Sequence, residues 1–469
     1  MRMYVAGTWT GNGQVRDVRS PFDGALIDTV PLARAADVEA ALASAVRGAK
    51  AMAALTAYRR HELLVKTARL LAAHREEFAI TVTSEMGKTI GEARGEVARA
   101  IETLTLSAEE ARRLTGETVP LDGAPGPGGK IGFTLRIPCG VVVAITPFNF
   151  PLNLVCHKVG PALAAGNAVI LKPASATPLS ALKLTELLLE AGLPAEGIQC
   201  VTGSPDVVGD ALCADRRVRK ISFTGSRDVG QHIMKTAGLK KVTMELGSNS
   251  PLIVMADADV AEVAEATASS GFANAGQSCI STQRVLVDRK VYGDFLDAVT
   301  PLVAGITSGN PRDEAVRIGP MIREGEAERV GGWIREAVAS GARILAGGAR
   351  SGAVHAATLV ADVTPAQRMS REELFGPAVG VTPFDGMDQA LALANDSDYG
   401  LGAGIFTANI RWALEFVRRM ESGNVMVNCA PNWRADLMPY GGLKDSGFGT
   451  EGPRYAIQEM TDSKTVVFH

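Results

Sequence analysis

The amino-acid sequence predicts an α/β protein built on a doubly wound, largely parallel sheet. From residue 139 onward, short apolar runs rich in Val and Ile alternate with helical stretches of about 10–15 residues. The chain has 469 residues, which is more than one hydrophobic core usually supports. We therefore expect two or more domains, at least one of them built from βαβ units.

The first part of the chain precedes this alternation. Residues 37–53 and 59–80 carry apolar side chains at helical spacing, as in Leu63, Leu64 and Leu70. This spacing predicts two helices that pack against a larger sheet.

Residues 139–255 carry the clearest alternation of strand and helix signals. Helices are predicted at 153–165 and 179–190, where apolar residues recur at helical spacing. Strands are expected at 141–145, 168–171, 198–202, 221–223, 242–246 and 252–255. The pattern indicates a Rossmann-type nucleotide-binding domain.

A second α/β unit follows. Helices are expected at 259–272, 291–304, 323–340, 387–394 and 411–421, and strands at 284–287, 378–384, 404–406 and 425–427. A connector rich in Gly and Pro at 122–132 precedes a strand-like segment at 133–137. We hypothesise that this segment lies outside both domains and pairs with another subunit.

Composition argues against several classes of function. The formal net charge is -3 and no long run of one sign occurs, which disfavours nucleic acid or a membrane surface as a partner. The N-terminus lacks a secretion signal and the apolar runs are too short to span a bilayer, so we expect a cytoplasmic protein. The six cysteines include no C-x-x-C pair and the six histidines form no metal signature, so neither disulfides nor a metal site is expected.

Two loops at predicted strand ends are candidates for a nucleotide site. Gly225 and Gly230 flank a strand-to-helix turn whose backbone amides can approach a pyrophosphate. Their spacing matches neither the G-x-G-x-x-G fingerprint nor a Walker loop, so an ordinary tight turn fits it equally well. Lys172 follows the strand 168–171, where a cation can hold a ribose hydroxyl or a phosphate, but a solvated lysine gives the same pattern.

Three residues supply the groups that thioester chemistry needs. Cys279 lies in a loop of small residues, Glu245 closes a predicted strand, and Asn149 lies in a rigid loop next to two prolines. They offer a nucleophile, a base for water and an amide donor for an oxyanion. Periodicity alone does not show that they converge.

Seven motifs occur in one order along nearly the whole chain. They are 146–151 (TPFNFP), 172–174 (KPA), 223–226 (FTGS), 244–247 (MELG), 276–279 (GQSC), 373–377 (ELFGP) and 439–444 (PYGGLK). With these motifs the chain resembles the aldehyde dehydrogenase superfamily. In 245–251 (ELGSNSP) and 279–284 (CISTQR) it is similar to the branch with lactaldehyde, non-phosphorylating glyceraldehyde-3-phosphate and phosphonoacetaldehyde dehydrogenases.

The resemblance implies a fold with three parts. These are an NAD(P)-binding domain (1–120 and 139–246), an α/β catalytic domain (247–445) and a small β oligomerisation flap. Segments 121–138 and 446–469 are expected to bridge the subunits of a homodimer or homotetramer.

The resemblance also implies a mechanism. Cys279 is expected to attack an aldehyde and form a thiohemiacetal. The Asn149 amide is expected to stabilise its oxyanion together with the backbone N–H of Cys279. A hydride then leaves to the nicotinamide, and Glu245 deprotonates the water that hydrolyses the thioester. Glu451 is expected to assist in proton relay. Because an unperturbed thiol titrates near ~8.5, Cys279 needs help from Glu245 or from the bound cofactor to ionise.

The cofactor implied is NAD or NADP. Lys172 is expected to contact the adenosine ribose, Glu373 the nicotinamide ribose, and Phe375 the region of the nicotinamide. Ser175 cannot repel a 2′-phosphate as the glutamate of many NAD-preferring relatives does, so use of both cofactors is predicted. The residues implied to bind the cofactor are Thr146, Pro147, Phe148, Lys172, Ser175, Gly225, Ser226, Leu246, Gly247, Glu373 and Phe375.

The substrate is expected to be a small hydroxylated or anionic aldehyde. His157 and Arg434 are the candidate contacts, although a packed histidine and a surface arginine fit the sequence equally well. Ser278 stands directly before the nucleophile, where relatives that bind a phosphate often have Arg, which disfavours a phosphorylated substrate. The residues expected to line the pocket are His157, Asn153, Ser278, Ile280 and Arg434.

Three alternatives stay open at this level. A CoA-acylating enzyme would pass the thioester to CoA, but that branch generally lacks the glutamate matched by Glu245. A cysteine hydrolase would need a histidine base near Cys279, and the one histidine beside a motif, His157, is out of order for it. A non-catalytic nucleotide-binding protein on this fold would not need Cys279, Glu245 and Asn149 together.

Overall fold

The computed structural model describes residues 1–11, 13–126 and 128–469. The predicted connector at 122–132 includes Pro127, which lies outside the described residues. In chain order the helices are α1 (Ala35–Ala54), α2 (Ala57–Ala73), α3 (Arg75–Met86), α4 (Ile90–Ala111), α5 (Asn153–Ala165), α6 (Leu179–Glu190), α7 (Asp210–Ala214), α8 (Arg227–Ala237), α9 (Val260–Ser270), α10 (Tyr292–Ala304), α11 (Glu324–Ala339), α12 (Arg368–Arg371), α13 (Gly386–Asn395), α14 (Ile410–Arg419) and α15 (Pro453–Glu459). The strands are β1 (Met3–Val5), β2 (Thr8–Thr10), β3 (Val15–Arg19), β4 (Leu26–Pro31), β5 (Thr118–Val119), β6 (Ile131–Pro138), β7 (Val141–Ile145), β8 (Ala168–Lys172), β9 (Ile198–Cys200), β10 (Val218–Thr224), β11 (Lys241–Glu245), β12 (Pro251–Val254), β13 (Arg284–Asp288), β14 (Arg343–Ala346), β15 (Arg350–Ser351), β16 (Val354–His355), β17 (Thr358–Ala361), β18 (Ala378–Phe384), β19 (Tyr399–Gly400), β20 (Gly402–Phe406), β21 (Asn424–Val427), β22 (Leu443–Lys444), β23 (Gly447–Phe448) and β24 (Thr461–Phe468).

The first sheet has the order β2-β1-β9-β8-β7-β10-β11-β23, and its five central strands are parallel. Val142 and Ala144 pack on the face covered by α2 and α4 to α6, whereas Val141 and Val143 pack on the opposite face against α1. Because both faces are covered, the strand reads as an uninterrupted apolar run, as the sequence predicted. The order of the strands reverses between β7 and β10, where doubly wound sheets bind ligands.

The second sheet has the order β14-β17-β18-β13-β12-β20-β21 and is parallel except at the β14–β17 pair. Strand β12 lies in this sheet, between β13 and β20. The interpretation of 139–255 as one nucleotide-binding unit is therefore wrong at its end. A buried apolar strand has the same pattern in either parallel sheet, and only its hydrogen-bonded neighbours decide where it belongs.

A small three-stranded sheet stands apart, in the order β24-β6-β5. The predicted strand at 133–137 is confirmed as the longer β6, which pairs with β24 from Ile131 to Pro138. Of the segment 446–469, only β24 joins this sheet. Strand β23 pairs with β11 of the first sheet, and α15 packs on α4 and α5.

The helical prediction needs two corrections in the first part of the chain. The helix expected at 59–80 is interrupted at His74, whose ψ of 17° separates α2 from α3. Helix α4 was not predicted, although Thr89 and Glu92 form the capping box that marks its start. The omission matters, because α4 forms one wall of the cleft described below. Among the helices in the described ranges, none combines the length and apolar character that crossing a bilayer requires.

Candidate active site

A cleft opens at the carboxyl ends of β7, β8 and β10 and reaches the loop that carries Cys279. Its volume is about 1490 Å³. This exceeds the ~300–1,000 Å³ of ordinary small-ligand sites, as a site for two substrates requires. The cleft lies at the strand reversal of the first sheet, and helices and loops outside the two sheets supply the rest of its lining.

An unusual backbone turn presents Cys279 to the cleft. Asn274, Ala275 and Gly276 have φ values of 53°, 54° and 68°, a left-handed path that is costly for the first two residues. At Gly276 a Cβ atom would lie 2.0 Å from the Gly376 carbonyl oxygen, so only glycine fits. The Asn274 side chain holds the turn by donating from Nδ2 to the carbonyl oxygens of Asn149 and Gln277, each at 3.1 Å.

The Cys279 thiol is half-buried, and its Sγ lies 3.2 Å from Oη of Tyr440. Burial raises the pKa of the thiol to about 12, although the hydrogen bond with Tyr440 opposes this rise. The thiol is therefore protonated at neutral pH in this state of the chain. A change in its surroundings must accompany nucleophilic attack.

Two N–H donors near the Cys279 loop have free hydrogen-bonding capacity. Asn149 donates one Nδ2 hydrogen to the carbonyl oxygen of Gln277 at 3.0 Å, which leaves its second hydrogen available. The backbone N–H of Cys279 has no acceptor within the described part of the chain. An amide pair of this kind is the usual means of stabilising a tetrahedral oxyanion.

Glu245 ends β11 behind the wall of the cleft and is 2% exposed. Neither carboxyl oxygen has a hydrogen-bond partner among the residues that the structure describes. Burial, and then the negative charge of Glu451, raise the pKa of Glu245 well above its usual 4.5. A carboxyl group with this pKa can accept a proton near neutral pH.

Glu451 lies deeper and does not line the cleft. Lys158 donates to its Oε1 at 2.7 Å, and Nη2 of Arg434 lies 3.4 Å from its Oε2. Burial alone would raise the pKa of Glu451, but the charges of Lys158 and Arg434 lower this pKa to about 2. The structure thus places an ionised Glu451 near Glu245, whose protonated form this charge favours.

All the residues predicted to bind the cofactor line this one cleft. They are Thr146, Pro147, Phe148, Lys172, Ser175, Gly225, Ser226, Leu246, Gly247, Glu373 and Phe375. Phe148 and Phe375 meet edge to face, with ring centroids 5.9 Å apart. The turn at Gly225 therefore borders a binding cleft, which favours the ligand-site interpretation over an ordinary tight turn.

Glu373 and Gly247 form one end of the cleft. Oε1 of Glu373 accepts the N–H of Ser248 at 2.9 Å, and burial raises the pKa of this carboxyl group to about 7. A Cβ atom at Gly247 would lie 2.4 Å from Oε2 of Glu373 and would displace the carboxyl group. The glycine therefore keeps Glu373 where it can accept hydrogen bonds from a ligand.

Lys172 and Ser175 form the other end. Burial, and then the positive charge of Arg16, lower the pKa of Lys172 to about 8. The Ser175 hydroxyl donates to the carbonyl oxygen of Gly203 at 3.2 Å. Arg16 was not considered from the sequence, because β3 is far from Lys172 along the chain.

Four of the five residues predicted for the substrate pocket line the cleft: Asn153, Ser278, Ile280 and Arg434. His157 does not. It is 1% exposed, and its Nε2 lies 2.8 Å from Oδ1 of Asp436. The expected contact of His157 with substrate is therefore wrong, because its ring is buried and its Nε2 is already paired with Asp436.

Arg434 and Arg99 line the cleft, and each lies against a carboxylate. The Arg434 side chain is 7% exposed, and its Nε has no hydrogen-bond partner among the described residues. Arg99 on α4 also lines the cleft and forms a bidentate pair with Asp436 at 2.8 and 3.0 Å. Sequence reasoning missed Arg99 together with its helix. Within the described ranges, no group of three or more His, Cys, Asp or Glu side chains is arranged to hold a metal ion.

Comparisons with known proteins agree with this geometry. The sequence profile of the aldehyde dehydrogenase family matches residues 9–466. The chain is 46% identical over 467 residues to a 3-sulfolactaldehyde dehydrogenase of Priestia megaterium, covering 100% of this chain and 98% of the relative.

Solved structures give the same result. Aldehyde dehydrogenase 21 of Physcomitrella patens, in complex with its reaction product succinate, superposes with a TM-score of 0.97 at 39% identity, covering 100% of this chain and 98% of that one. Glyceraldehyde-3-phosphate dehydrogenase GapN of Methanocaldococcus jannaschii, complexed with NADP, gives 0.94 at 34% identity, covering 97% and 99%.

Proposed function

We propose that this chain, which belongs to the aldehyde dehydrogenase family and so is an oxidoreductase acting on aldehydes, oxidises a short anionic aldehyde to its carboxylate with NAD or NADP. The observation that carries the proposal is a single cleft that joins the Cys279 thiol to the carboxyl ends of β7, β8 and β10. The Cys279 thiol suits a covalent aldehyde adduct, and the carboxyl ends of the strands suit a dinucleotide.

Cys279 is the proposed nucleophile. Its thiol first loses its proton to water in the cleft. The thiolate sulfur then forms a bond to the aldehyde carbon, and the carbonyl oxygen becomes an oxyanion between the Asn149 amide and the Cys279 backbone N–H. The free hydrogen of the amide and the unpaired N–H support this assignment. When the C–H bond of the adduct breaks, its electron pair leaves as hydride and a thioester remains on Cys279.

The cleft fits a nicotinamide dinucleotide. Lys172 and Ser175 would hold the adenosine ribose, the amides after Gly225 the pyrophosphate, and Glu373 the nicotinamide ribose. The space that Gly247 leaves beside Glu373 supports this fit. The chemistry that the nicotinamide supplies when bound is acceptance of a hydride from the substrate carbon. Arg16 and Lys172 add positive charge at this end of the cleft, and Ser175 carries no negative charge. Both features support use of NADP as well as NAD.

Glu245 is the proposed base of the second half-reaction. Its side chain first releases the proton that burial favours, and the carboxylate then takes a proton from a water molecule whose oxygen forms a bond to the thioester carbon. The C–S bond then breaks to release the product carboxylate and the thiolate of Cys279. The raised pKa of Glu245 supports this role, because a buried carboxylate that binds protons readily is an effective base. We propose that Glu451, whose charge acts on Glu245, assists in passing this proton on.

An anionic group on the substrate would meet Arg434 and Arg99. The free Nε of Arg434 and its position in the cleft support this contact. The relative of Priestia megaterium is named for an aldehyde that carries a sulfonate and a hydroxyl, and the moss structure contains a dicarboxylate product. We therefore propose a short aldehyde with a sulfonate or carboxylate group as the substrate class.

The division of labour among the parts of the chain follows the same proposal. Residues 1–120 and 139–246 would bind the dinucleotide, and 247–445 would carry the nucleophile. The small sheet exposes apolar side chains, with Ile131 65% and Phe468 59% exposed. Covering them with another subunit would give the expected homodimer or homotetramer.

The test is formation of reduced nicotinamide by the purified protein. Lactaldehyde, 3-sulfolactaldehyde, succinate semialdehyde and glyceraldehyde 3-phosphate would each be offered with NAD and with NADP. We expect turnover that Cys279→Ala abolishes and that Cys429→Ala, a matched loss of a half-buried cysteine outside the cleft, leaves intact.

Other outcomes would contradict the proposal. No turnover with any aldehyde, despite measurable cofactor binding, would argue against this substrate class. Formation of an acyl-CoA on addition of CoA, at the expense of the free acid, would favour the CoA-acylating alternative instead.

A further inference from the structure

A hydroxyl group outside the predicted site lies against the nucleophile. Tyr440 is 3% exposed, lines the cleft, and places its Oη 3.2 Å from Sγ of Cys279. No other hydrogen bond of this hydroxyl exists with any residue that the structure describes. Among the described residues, the Cys279 sulfur is therefore the hydrogen-bond partner of the phenol.

Contacts on several sides hold the Tyr440 ring in place. Its backbone N–H donates to the Glu451 carbonyl oxygen at 3.1 Å, and its own carbonyl accepts from the Glu451 N–H at 2.7 Å. The Arg434 guanidinium lies over the ring, with Cζ 3.7 Å from the centroid. Ile280 and Leu401 pack against Tyr440 in the same apolar cluster. The position of the hydroxyl thus depends on packing and on the backbone, not on its bond to sulfur.

We infer that Tyr440 is a positioning residue for the nucleophile: its hydroxyl donates to the ionised sulfur of Cys279 and orients it towards the cleft. The inference rests on the function proposed above. Phenol is a suitable donor here, because burial raises the pKa of Tyr440 well above its usual 10.0, so it keeps its proton while the thiol ionises. The other charged or titratable groups that act on the pair are Arg434, Glu245 and Glu373.

The bond has a measurable consequence for the reactivity of Cys279. A hydrogen bond to a charged acceptor contributes more than one to a neutral acceptor, so its loss is expected to raise the pKa of the thiol by about one unit. The thiolate fraction would then fall about tenfold at neutral pH, while the intrinsic nucleophilicity of the thiolate would rise about threefold. The net result is a reaction about threefold slower near neutral pH but faster at high pH.

The experiment measures alkylation of Cys279 by iodoacetamide in the NADP-bound enzyme, where the positive charge of the cofactor favours the thiolate. The pH runs from about 6 to about 10, and the product is read by mass spectrometry of the Cys279 peptide. The thiolate ultraviolet absorbance, with Cys279→Ala as the blank, gives the inflection directly. The variant is Tyr440→Phe, which keeps the ring under Arg434. The control is Tyr292→Phe, which removes a hydroxyl that donates to Asp362 at 2.9 Å outside the cleft.

We expect Tyr440→Phe to raise the inflection by about one unit and the two rate profiles to cross, while Tyr292→Phe follows the wild type. An unchanged or lowered inflection, or a rate reduced by one factor at every pH, would overturn the inference. If Tyr440→Phe fails to bind cofactor, a fluorinated tyrosine at residue 440 keeps the shape and strengthens the donor. The inflection must then fall, and a fixed value would overturn the inference. Turnover that persists in Cys279→Ala would instead refute the proposed function.

Discussion

Glu245→Gln is expected to separate the two halves of the proposed reaction. The side chain is 2% exposed, and its two carboxyl oxygens lack hydrogen-bond partners among the described residues. Burial, and then the charge of Glu451, raise its pKa well above 4.5, so the resting side chain carries a proton. A glutamine has nearly the same shape and charge as this protonated form, and the fold should accept it.

The kinetic effect follows from the loss of the base alone. A positioned general base contributes about 10²–10⁴-fold, so thioester hydrolysis should slow by that factor. Formation of the thioester uses Cys279 and Asn149 and should keep its rate. Stopped-flow measurement of reduced nicotinamide should therefore show a burst stoichiometric with active sites, followed by a steady rate reduced about 10²–10⁴-fold.

The same substitution should stabilise the fold at neutral pH. The unfolded chain releases the Glu245 proton near the usual pKa of 4.5, whereas the folded chain retains it. The contribution of this group to stability is therefore complete below that pH and is lost as the pH rises towards the folded pKa, by about 1.4 kcal/mol per unit. Gln does not titrate, so the free energy of unfolding of the variant relative to the wild type should increase with pH across this window.

Two results would refute this reasoning. One is steady turnover within a few-fold of the wild type, because the base would then lie elsewhere. The other is a variant that is less stable than the wild type at neutral pH in denaturant or thermal unfolding. Glu262→Gln, at an exposed position of α9, serves as the control for both measurements.

Further predictions concern the oxyanion donor, the cofactor, the substrate and the fold. Asn149→Ala should lower kcat about 10²–10³-fold, and near-normal turnover would exclude the oxyanion role. Because the pKa of Lys172 is lowered to about 8, its charge is present below that pH and lost above it. The KM for NADP should therefore rise above about pH 8 more than the KM for NAD, and Lys172→Met should abolish this difference. Strict rejection of NADP would contradict the use of both cofactors. Arg434→Met should raise the KM for 3-sulfolactaldehyde roughly 10- to 100-fold relative to the KM for lactaldehyde, since the substitution removes a charge-assisted contact. Equal effects on the two aldehydes would show that Arg434 binds no anion. Arg284 donates to three backbone carbonyls at 3.0 Å and is 4% exposed. Arg284→Met should therefore lower the free energy of unfolding by about 3–5 kcal/mol. A loss below about 1 kcal/mol would contradict this contribution of the three hydrogen bonds to stability.

Local sequence was sufficient for most of the two parallel sheets. Strands such as β7 and β18 are buried on both faces, and this burial requires continuous apolar runs that can be recognised without knowing the neighbours. Asn149 lies in the loop after β7 and Lys172 is the last residue of β8. Strand ends of such sheets are where ligands bind. The expectation that Cys279 is the nucleophile came from the ordered motifs, not from periodicity.

What local sequence could not supply were the partners of each side chain. His157 was expected in the pocket, but its side chain is buried against Asp436, which is 279 residues away along the chain. Arg99 was missed because α4 was missed, although the capping box at Thr89 marked that helix.

The amino-acid sequence by itself therefore determined the fold class, the family and the loops that carry the chemistry, since these depend on burial patterns and motifs within a few residues. Only the tertiary structure decided that Glu245 lies buried beside Glu451, whose negative charge favours the protonated form of Glu245, and that Tyr440 contacts Cys279 across 161 residues. Hydrogen-bonded pairing and electrostatic coupling depend on distances in space, and residues far apart in the chain acquire those distances only when the chain has folded.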